Sequence, residues 1–209
     1  MKSTKRKILR YLGIFLIIAG IALLIYPLYT NLIMNRQELE VLAAWDKQVA
    51  DITAETTSGA ITTETFGQLE KENAPVDPTK KIPFKIIIPK IDVEWVVNEG
   101  TDTATLKRGP GHYTGTALPG EVGACVIAGH RTTYGKPFNR VDELVDGDEI
   151  LLETIGNELF IYTVTGNVEV PPTDMSVLKP TDYPSLVLST CTPKFFATRR
   201  LIIYAKIAE

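Results

Sequence analysis

The chain has 209 residues, and its 22 Lys and Arg residues are nearly balanced by 25 Asp and Glu residues, which gives a formal net charge of −3. The first ten residues contain five of the basic ones: Lys2, Lys5, Arg6, Lys7 and Arg10. The other 17 basic residues face all 25 acidic ones, so the rest of the chain is net negative by eight. Beyond residue 10 the sequence has no basic patch with interleaved aromatic residues, which argues against nucleic-acid binding.

An uncharged apolar stretch follows the basic cluster. Residues 11–34 are dominated by Ile, Leu, Ala, Gly and Tyr, and about 20 apolar residues suffice to span a membrane. A cleaved signal peptide is the alternative, but its apolar region would be shorter, about 7–15 residues, and would end in small residues. We therefore predict a transmembrane anchor over 11–34. The preceding basic cluster predicts that residues 1–10 are cytoplasmic and the remainder is extracellular.

Three residues near the end of this span carry further expectations. Tyr26 and Tyr29 are expected to lie in the outer interfacial belt, where tyrosine is enriched. Pro27 is expected to kink or end the helix, because proline removes a helical hydrogen bond.

Residues 35–81 are predicted to connect the anchor to a folded domain. Apolar residues recur at three- and four-residue spacing over 36–53, which predicts a helix that either continues the anchor or forms a stalk packed on the domain. Residues 54–80 are rich in Thr, Glu, Ser, Ala and Pro without a sustained period, which predicts a flexible extracellular linker. A lid over an active site is the alternative role of this segment, and a simple spacer is favoured.

The pattern changes at Ile82, and residues 82–209 are predicted to form the folded domain. Gly and Pro residues separate short β-branched segments, a pattern that favours a barrel or a sandwich. The predicted strands are Phe84–Ile88, Val93–Val97, Ala124–Ala128, Glu149–Glu153, Leu159–Thr165, Leu186–Thr190 and Leu201–Ile207. Two short helices are predicted at Ala104–Arg108 and Phe138–Leu144. This length buries an adequate core without disulfides.

Three chemically active side chains lie at the ends of predicted strands. Cys191 comes at the end of one strand, which Pro193 should terminate because proline cannot donate a ladder hydrogen bond. Arg200 directly precedes the next strand, so the thiol and the guanidinium are expected at one end of a sheet. Such a pair stabilises a thiolate and a developing oxyanion. His130, at the end of a third strand, is a candidate proton partner for a cysteine nucleophile.

Each of these residues also has an ordinary explanation. An isolated Cys is most often a small buried hydrophobe, an isolated His a hydrogen-bonded structural residue, and an isolated Arg a solvated surface charge. Their common place at strand ends favours a catalytic interpretation. A second thiol, Cys125, lies in an apolar run near His130. We predict that it is a buried strand residue, with proximity to Cys191 as the alternative.

The sequence predicts no metal and no cofactor. The two histidines and the two cysteines lack the close paired spacing of zinc sites. Three acidic residues in the long connection before Cys191 could bind calcium: Glu169, Asp174 and Asp182. Acidic loop residues are usually solvated, so calcium is not required.

The segment Leu188–Cys191, followed by Arg200, resembles the signature of sortases, the cysteine transpeptidases of Gram-positive cell surfaces. The resemblance covers about residues 82–209. It includes the segments Gly109–Tyr113, Ala128–Phe138 and Cys191–Phe195. These motifs look most like class E sortases, the housekeeping type of many actinobacteria. Val187 departs from the usual motif, which has Thr at this position.

The resemblance implies a mostly all-β fold, a closed eight-stranded barrel with a few short helices. It also implies that Cys191 is the nucleophile, His130 the proton donor and acceptor, and Arg200 the group that binds the oxyanion. The expected reaction cleaves a Thr-Gly bond in the C-terminal sorting signal of a secreted protein, and the class E resemblance favours the motif Leu-Ala-x-Thr-Gly over its Leu-Pro form. The acyl group then passes to an amine of a lipid-linked cell-wall precursor. Further residues expected to line the substrate site are Thr190, Arg131, His112 and Tyr134.

Two other functions stay open at this point. A pilus-polymerising sortase would use a pilin lysine as acceptor, and such enzymes commonly carry a lid and a C-terminal membrane span. This sequence ends at Glu209 directly after a strand, so housekeeping anchoring is favoured. A membrane-tethered β-domain that binds a wall ligand without catalysis would need no chemistry at Cys191.

Overall fold

The structure, a computed structural model, describes residues 2–58 and 82–208. The first segment is one helix, α1, over Lys2–Ser58. Pro27 lies inside α1 and does not end it, because the apolar residues on both sides favour a helix whose backbone groups bond within the segment. α1 also continues past residue 54, so the predicted start of the linker there is wrong. The remainder of the predicted linker, 59–80, lies outside the described residues.

Eight strands close into a barrel. They are β1 Phe84–Ile88, β2 Val93–Glu99, β3 Gly111–His112, β4 Gly123–Ala128, β5 Glu149–Thr154, β6 Leu159–Val170, β7 Pro184–Thr192 and β8 Arg199–Ile207. Their order around the barrel is β1-β2-β3-β4-β7-β8-β6-β5. β2 with β3 and β4 with β7 are parallel, and the other neighbouring pairs are antiparallel. The predicted closed eight-stranded barrel is confirmed.

The predicted helices are partly confirmed. Helix α2 covers Thr103–Arg108, where its N-terminus is capped by the side chain of Asp102. The second predicted helix, Phe138–Leu144, is wrong: only a 3₁₀ turn over Val141–Glu143 forms there. Phe138, Val141 and Leu144 are all buried in the core, and their spacing of three residues suits a turn with three residues per repeat.

Alternation along the strands separates an inner from an outer face of the barrel. The large core cluster includes Leu186 and Leu188 of β7, and Leu201 and Ile203 of β8. The residues between them belong to a second cluster that includes Val187 and Ile202. The first set therefore fills the barrel interior, and the second set lies on its outer face.

The C-terminal half of α1 packs against the outside of the barrel. Trp45 is 3% exposed and clusters with Val96 of β2 and Ile155 of the β5–β6 turn. Leu42 and Val49 pack against the same cluster. Because these residues recur at three- and four-residue spacing, one face of the helix meets the barrel.

A buried lysine adds an ionic contact between helix and barrel. Lys85 of β1 lies 3.0 Å from Glu153, 3.2 Å from Glu94 and 3.5 Å from Asp46 of α1. Burial lowers the pKa of Lys85, but the hydrogen bonds and charges of the two glutamates outweigh that effect, and the pKa is raised overall.

The N-terminal half of α1 leaves its apolar side chains exposed. Between Tyr11 and Ile25 most of the large apolar residues are more than half exposed. By length and composition α1 is able to cross a membrane.

Replacing Trp45 by Ala should release α1 from the barrel. Truncating a buried Trp typically costs about 3–5 kcal/mol, and here the loss falls on helix docking because the barrel strands pair without it. In the full-length chain, hydrogen exchange should rise over residues 42–49, while the barrel strands stay protected. Leu39→Ala, at a position that is 69% exposed, is the matched control. A comparable rise in exchange across β1 to β8 would contradict this division.

Candidate active site

Cys191 and Arg200 face each other across β7 and β8. Their Cα atoms are register partners, and Arg200 Nη1 donates a hydrogen bond to Cys191 Sγ over 3.0 Å. Since Leu201 and Ile203 point into the barrel, alternation places Arg200 on the outer face. Cys191 is half-buried, so its sulfur is open to a substrate.

The neighbouring arginine, Arg199, is engaged elsewhere. Its Nε lies 3.4 Å from a carboxylate oxygen of Glu169, and its Nη2 donates to the main-chain carbonyl of Glu169 over 2.7 Å. Thr192 donates a further hydrogen bond to the Glu169 carboxylate, over 3.0 Å. The structure therefore brings Arg200, not Arg199, to the thiol.

His130 lies on the other side of Cys191. It follows β4, which runs parallel to β7 with Ala128 opposite Ser189. Continued by two residues, this register sets His130 beside Cys191 at the same edge of the barrel. By this continuation, β7 has the residue His130 on one flank and the guanidinium of Arg200 on the other.

Thr190 of β7 holds the residue that precedes His130 in place. Its side chain is buried, and its hydroxyl donates to the carbonyl of Gly129 over 2.7 Å. Gly129 N in turn donates to Ser189 O over 3.1 Å. Sequence analysis expected Thr190 to line the substrate site, but its hydroxyl contacts the residue before His130 and lies away from the open surface.

The ring of His130 is shielded by Tyr134. The two ring centres are 5.0 Å apart, and Lys107 Nζ lies 5.7 Å from the centre of the Tyr134 ring. Burial lowers the pKa of His130 below its ordinary value, and the positive charge of Lys107 lowers it further. Tyr134, which was expected to line the substrate site, therefore contacts His130.

Arg131 ties the loop after β4 to the strand that carries the thiol. Its guanidinium donates to the main-chain carbonyl of Cys191 over 3.3 Å and lies 2.8 Å from a carboxylate oxygen of Asp142. The side chain of Asn139 donates to the Arg131 carbonyl over 2.7 Å. Within the described part of the chain, the buried Nε of Arg131 has no partner. This buried side chain, expected to touch substrate, instead positions the two segments around Cys191.

His112 is placed differently from the expectation. Sequence analysis expected it to line the substrate site, but it lies in β3 and is only 1% exposed. Its ring nitrogens lie 2.9 Å from the Glu99 carboxylate and 3.0 Å from the Ala117 carbonyl oxygen. Nε2 is also 2.9 Å from the hydroxyl of Thr116. Because the ring is buried and both of its nitrogens have hydrogen-bond partners, the geometry favours a structural role over contact with a substrate.

Both cysteines are free, but only one is accessible. Cys125 is buried in the barrel interior, opposite Leu186 and not opposite Cys191. Burial strongly raises the pKa of the Cys125 thiol, so the sulfur stays protonated and unreactive. Among the described residues, no group of three or more His, Cys, Asp or Glu side chains is arranged to hold a metal ion.

Helix α1 reaches the same loop, a contact that sequence analysis missed. Asn31 Nδ2 donates to the carbonyl of Thr132 over 3.4 Å, and Asn31 Oδ1 accepts from Gly135 N over 3.1 Å. The hydroxyls of Tyr26 and Tyr134 are 3.1 Å apart. The one signal for this contact was an amide side chain within an apolar run. No pattern in the sequence indicated that Asp142 would pair with Arg131.

Known proteins resemble this chain in sequence and in fold. The family model described as Sortase domain matches residues 86–208. Sortase SrtE1 of Streptomyces coelicolor is 36% identical over 138 residues, which is 58% of this chain and 39% of that protein. Sortase D of Bacillus subtilis is 37% identical over 123 residues, which is 57% of this chain and 60% of that protein. The chain thus spans less than two thirds of either relative.

A solved structure extends the similarity to three dimensions. The crystal structure of sortase E1 from Streptomyces coelicolor with a tripeptide in the active site matches with a TM-score of 0.56 and 33% identity, over 60% of this chain and 87% of that one. A thiol beside a guanidinium on a closed barrel is suited to a cysteine transpeptidase. The chain belongs to the sortase family. Relatives named E and D match at nearly equal identity.

Arg200→Lys should reduce acyl transfer strongly, whereas Arg199→Lys should leave it nearly unchanged. A lysine cannot reproduce the planar fork of arginine, and losing one oxyanion donor typically costs about 10²–10³ in rate. Steady-state kinetics of both variants measure the effect, which should fall more on kcat than on KM. A crippled Arg199→Lys enzyme beside a normal Arg200→Lys enzyme would mean that the strand register is shifted by one residue.

Lys107→Met should raise the pKa of His130. Removing a nearby positive charge makes protonation easier, so the imidazolium should persist to higher pH. Titration of the His130 ring by NMR measures this directly, with His130→Asn to assign the signal. Lys90→Met is the control, since Lys90 pairs with Asp148 over 2.7 Å and should not affect His130. An unchanged or lower pKa in Lys107→Met would contradict the electrostatic account.

Proposed function

We propose that this protein is a membrane-anchored sortase that cleaves a Thr-Gly bond in a C-terminal sorting signal and joins the new acyl end to an amine. The observation that carries the proposal is the 3.0 Å contact between Arg200 Nη1 and Cys191 Sγ, at the barrel edge that the β4 register also gives to His130. Each catalytic role below is part of this proposal.

In the first half-reaction, the sulfur of Cys191 attacks the threonine carbonyl carbon. Negative charge develops on the carbonyl oxygen, and the guanidinium of Arg200 stabilises it as well as the attacking thiolate. When the tetrahedral intermediate collapses, the carbon–nitrogen bond breaks, and His130 gives its proton to the leaving glycine amine. The product is a thioester on Cys191, which divides one difficult acyl transfer into two easier ones.

In the second half-reaction, an acceptor amine attacks the thioester. The amine loses a proton to His130, the carbon–sulfur bond breaks, and the thiolate of Cys191 is restored. A lowered pKa of His130 suits this step, because the imidazole must be neutral to accept the proton. The first step uses the smaller fraction of molecules in which His130 carries a proton.

The substrates follow from the family resemblance. A sortase E1 structure holds a tripeptide in its active site, and we infer that the equivalent edge here accepts a peptide signal. The class E resemblance favours the motif Leu-Ala-x-Thr-Gly. The acceptor is proposed to be the amine of a lipid-linked cell-wall precursor, which makes secreted proteins and the growing wall the two partners.

The anchor completes the proposal. We infer that α1 crosses the membrane once, with the basic N-terminus in the cytoplasm and the barrel outside. Support comes from the exposed apolar surface before residue 26 and from the basic cluster that precedes it.

Cys191→Ala should abolish transfer of a Leu-Ala-x-Thr-Gly peptide to an added amine. Cys125→Ala should retain it, since the Cys125 thiol is sealed in the core. Mass spectrometry of the full-length chain in detergent follows both the thioester on the protein and the transpeptidation product, and circular dichroism checks folding. Transfer by Cys191→Ala near the wild-type level would remove this thiol from the mechanism. Peptide binding by the wild-type chain without any adduct would indicate a binding module.

A further inference from the structure

The loop between β7 and β8 presents two aromatic side chains to solvent, close to the candidate nucleophile. Phe195 is 81% and Phe196 is 77% exposed, the highest values among the large apolar side chains of the described barrel. Phe195 also has a φ of 73°, a left-handed conformation that is strained for a bulky residue. Two adjacent exposed phenylalanines, one of them held in a strained conformation, indicate a surface that a partner covers.

These rings lie at the edge of the barrel that carries the active site. β4 and β7 are parallel, so the loops that follow them, 129–138 and 193–198, leave the barrel at the same edge. A shared carboxylate joins the two loops, since Asp142 lies 2.8 Å from Arg131 and 3.8 Å from Lys194.

Helix α1 runs along the barrel from this edge to the opposite one. The strand pairs from β7 through β8 and β6 to β5 are antiparallel, which puts the β5–β6 turn, with Ile155, at the far edge. α1 contacts the active-site edge through Asn31 and the far edge through Trp45. Asn31 and Trp45 are 14 residues apart, which corresponds to about 21 Å of helix. The apolar residues before Tyr26 therefore extend beyond the active-site edge.

Two tyrosines mark the level at which the helix would leave a bilayer. Tyr26 and Tyr29 are exposed, and tyrosine is enriched at the membrane–water boundary. The hydroxyl of Tyr26 is within 3.1 Å of the hydroxyl of Tyr134, in the loop after β4. The outer boundary of the membrane thus coincides with the barrel edge on which the phenylalanines stand.

We propose that Phe195 and Phe196 insert into the outer interface of the membrane that α1 crosses, so that the active-site edge rests on the lipid surface. This proposal rests on the membrane anchoring inferred above, but not on the acyl-transfer chemistry. Two phenyl rings on a short loop suit the boundary between headgroups and acyl chains. The helix already fixes the orientation, so the rings add a second point of contact and set the tilt of the barrel.

Tryptophan fluorescence in vesicles tests the insertion. The full-length chain carrying Phe195→Trp or Phe196→Trp is reconstituted in phosphatidylcholine vesicles, with and without bromine atoms on the acyl chains. The emission of Trp45 and Trp95 is measured in the wild-type chain and subtracted. The matched control is Val122→Trp, which is 68% exposed and directly precedes β4, at the opposite edge. Leu16→Trp reports on the anchor itself.

The expected result is a blue shift and a loss of emission in brominated lipid for both phenylalanine positions, with neither change at Val122→Trp. Emission at positions 195 and 196 like that of the control overturns insertion, while quenching of Leu16→Trp leaves the anchor standing. An unquenched Leu16→Trp overturns both the anchor and this proposal.

Two other partners would give different results. A blue shift at 195 or 196 that arises only after a Thr-Gly peptide is added would assign the rings to substrate binding and overturn insertion. A blue shift without quenching that grows with protein density in the vesicle would assign them to a second copy of the chain, and would also overturn it.

Discussion

The pairing of Cys191 with Arg200 across β7 and β8 is the constraint on which the candidate site depends. It exists because one register fills the barrel interior with Leu186, Leu188 and their partners. A slip of one residue would turn those leucines outward and the thiol inward. The hydrophobic core therefore enforces the 3.0 Å contact between guanidinium and sulfur, and core stability and site geometry share one cause.

The histidine needs additional support, because it stands beyond the end of β4. Thr190 holds the residue before it, and Arg131 joins the following segment to the main chain of Cys191. Asn31 of α1 then bonds to both ends of the 132–135 turn. Through these contacts the helix proposed as an anchor also holds the loop that follows the proposed proton carrier.

Sequence reasoning succeeded where a repeated pattern or an extended motif existed. Seven strands were predicted from β-branched segments. The resemblance to the family motif proposed Cys191, His130 and Arg200 as the site, and of these Cys191 and Arg200 are in contact. Strand β3 was missed because a strand of two residues is too short to show an alternating pattern. The contacts of Asn31 and Asp142 depend on tertiary packing, which no local pattern reveals.

The central claim is that Arg200 binds the oxygen on which charge develops when Cys191 attacks. A crystal structure of the full-length chain after reaction with a Leu-Ala-x-Thr aldehyde tests it most directly, because the hemithioacetal oxygen occupies the place of the oxyanion. We predict a bond from Cys191 Sγ to the aldehyde carbon, with the oxygen about 2.7–3.1 Å from an Arg200 nitrogen and His130 on the opposite flank. An adduct on Cys125, or an oxygen held by other donors with Arg200 turned away, would contradict the account.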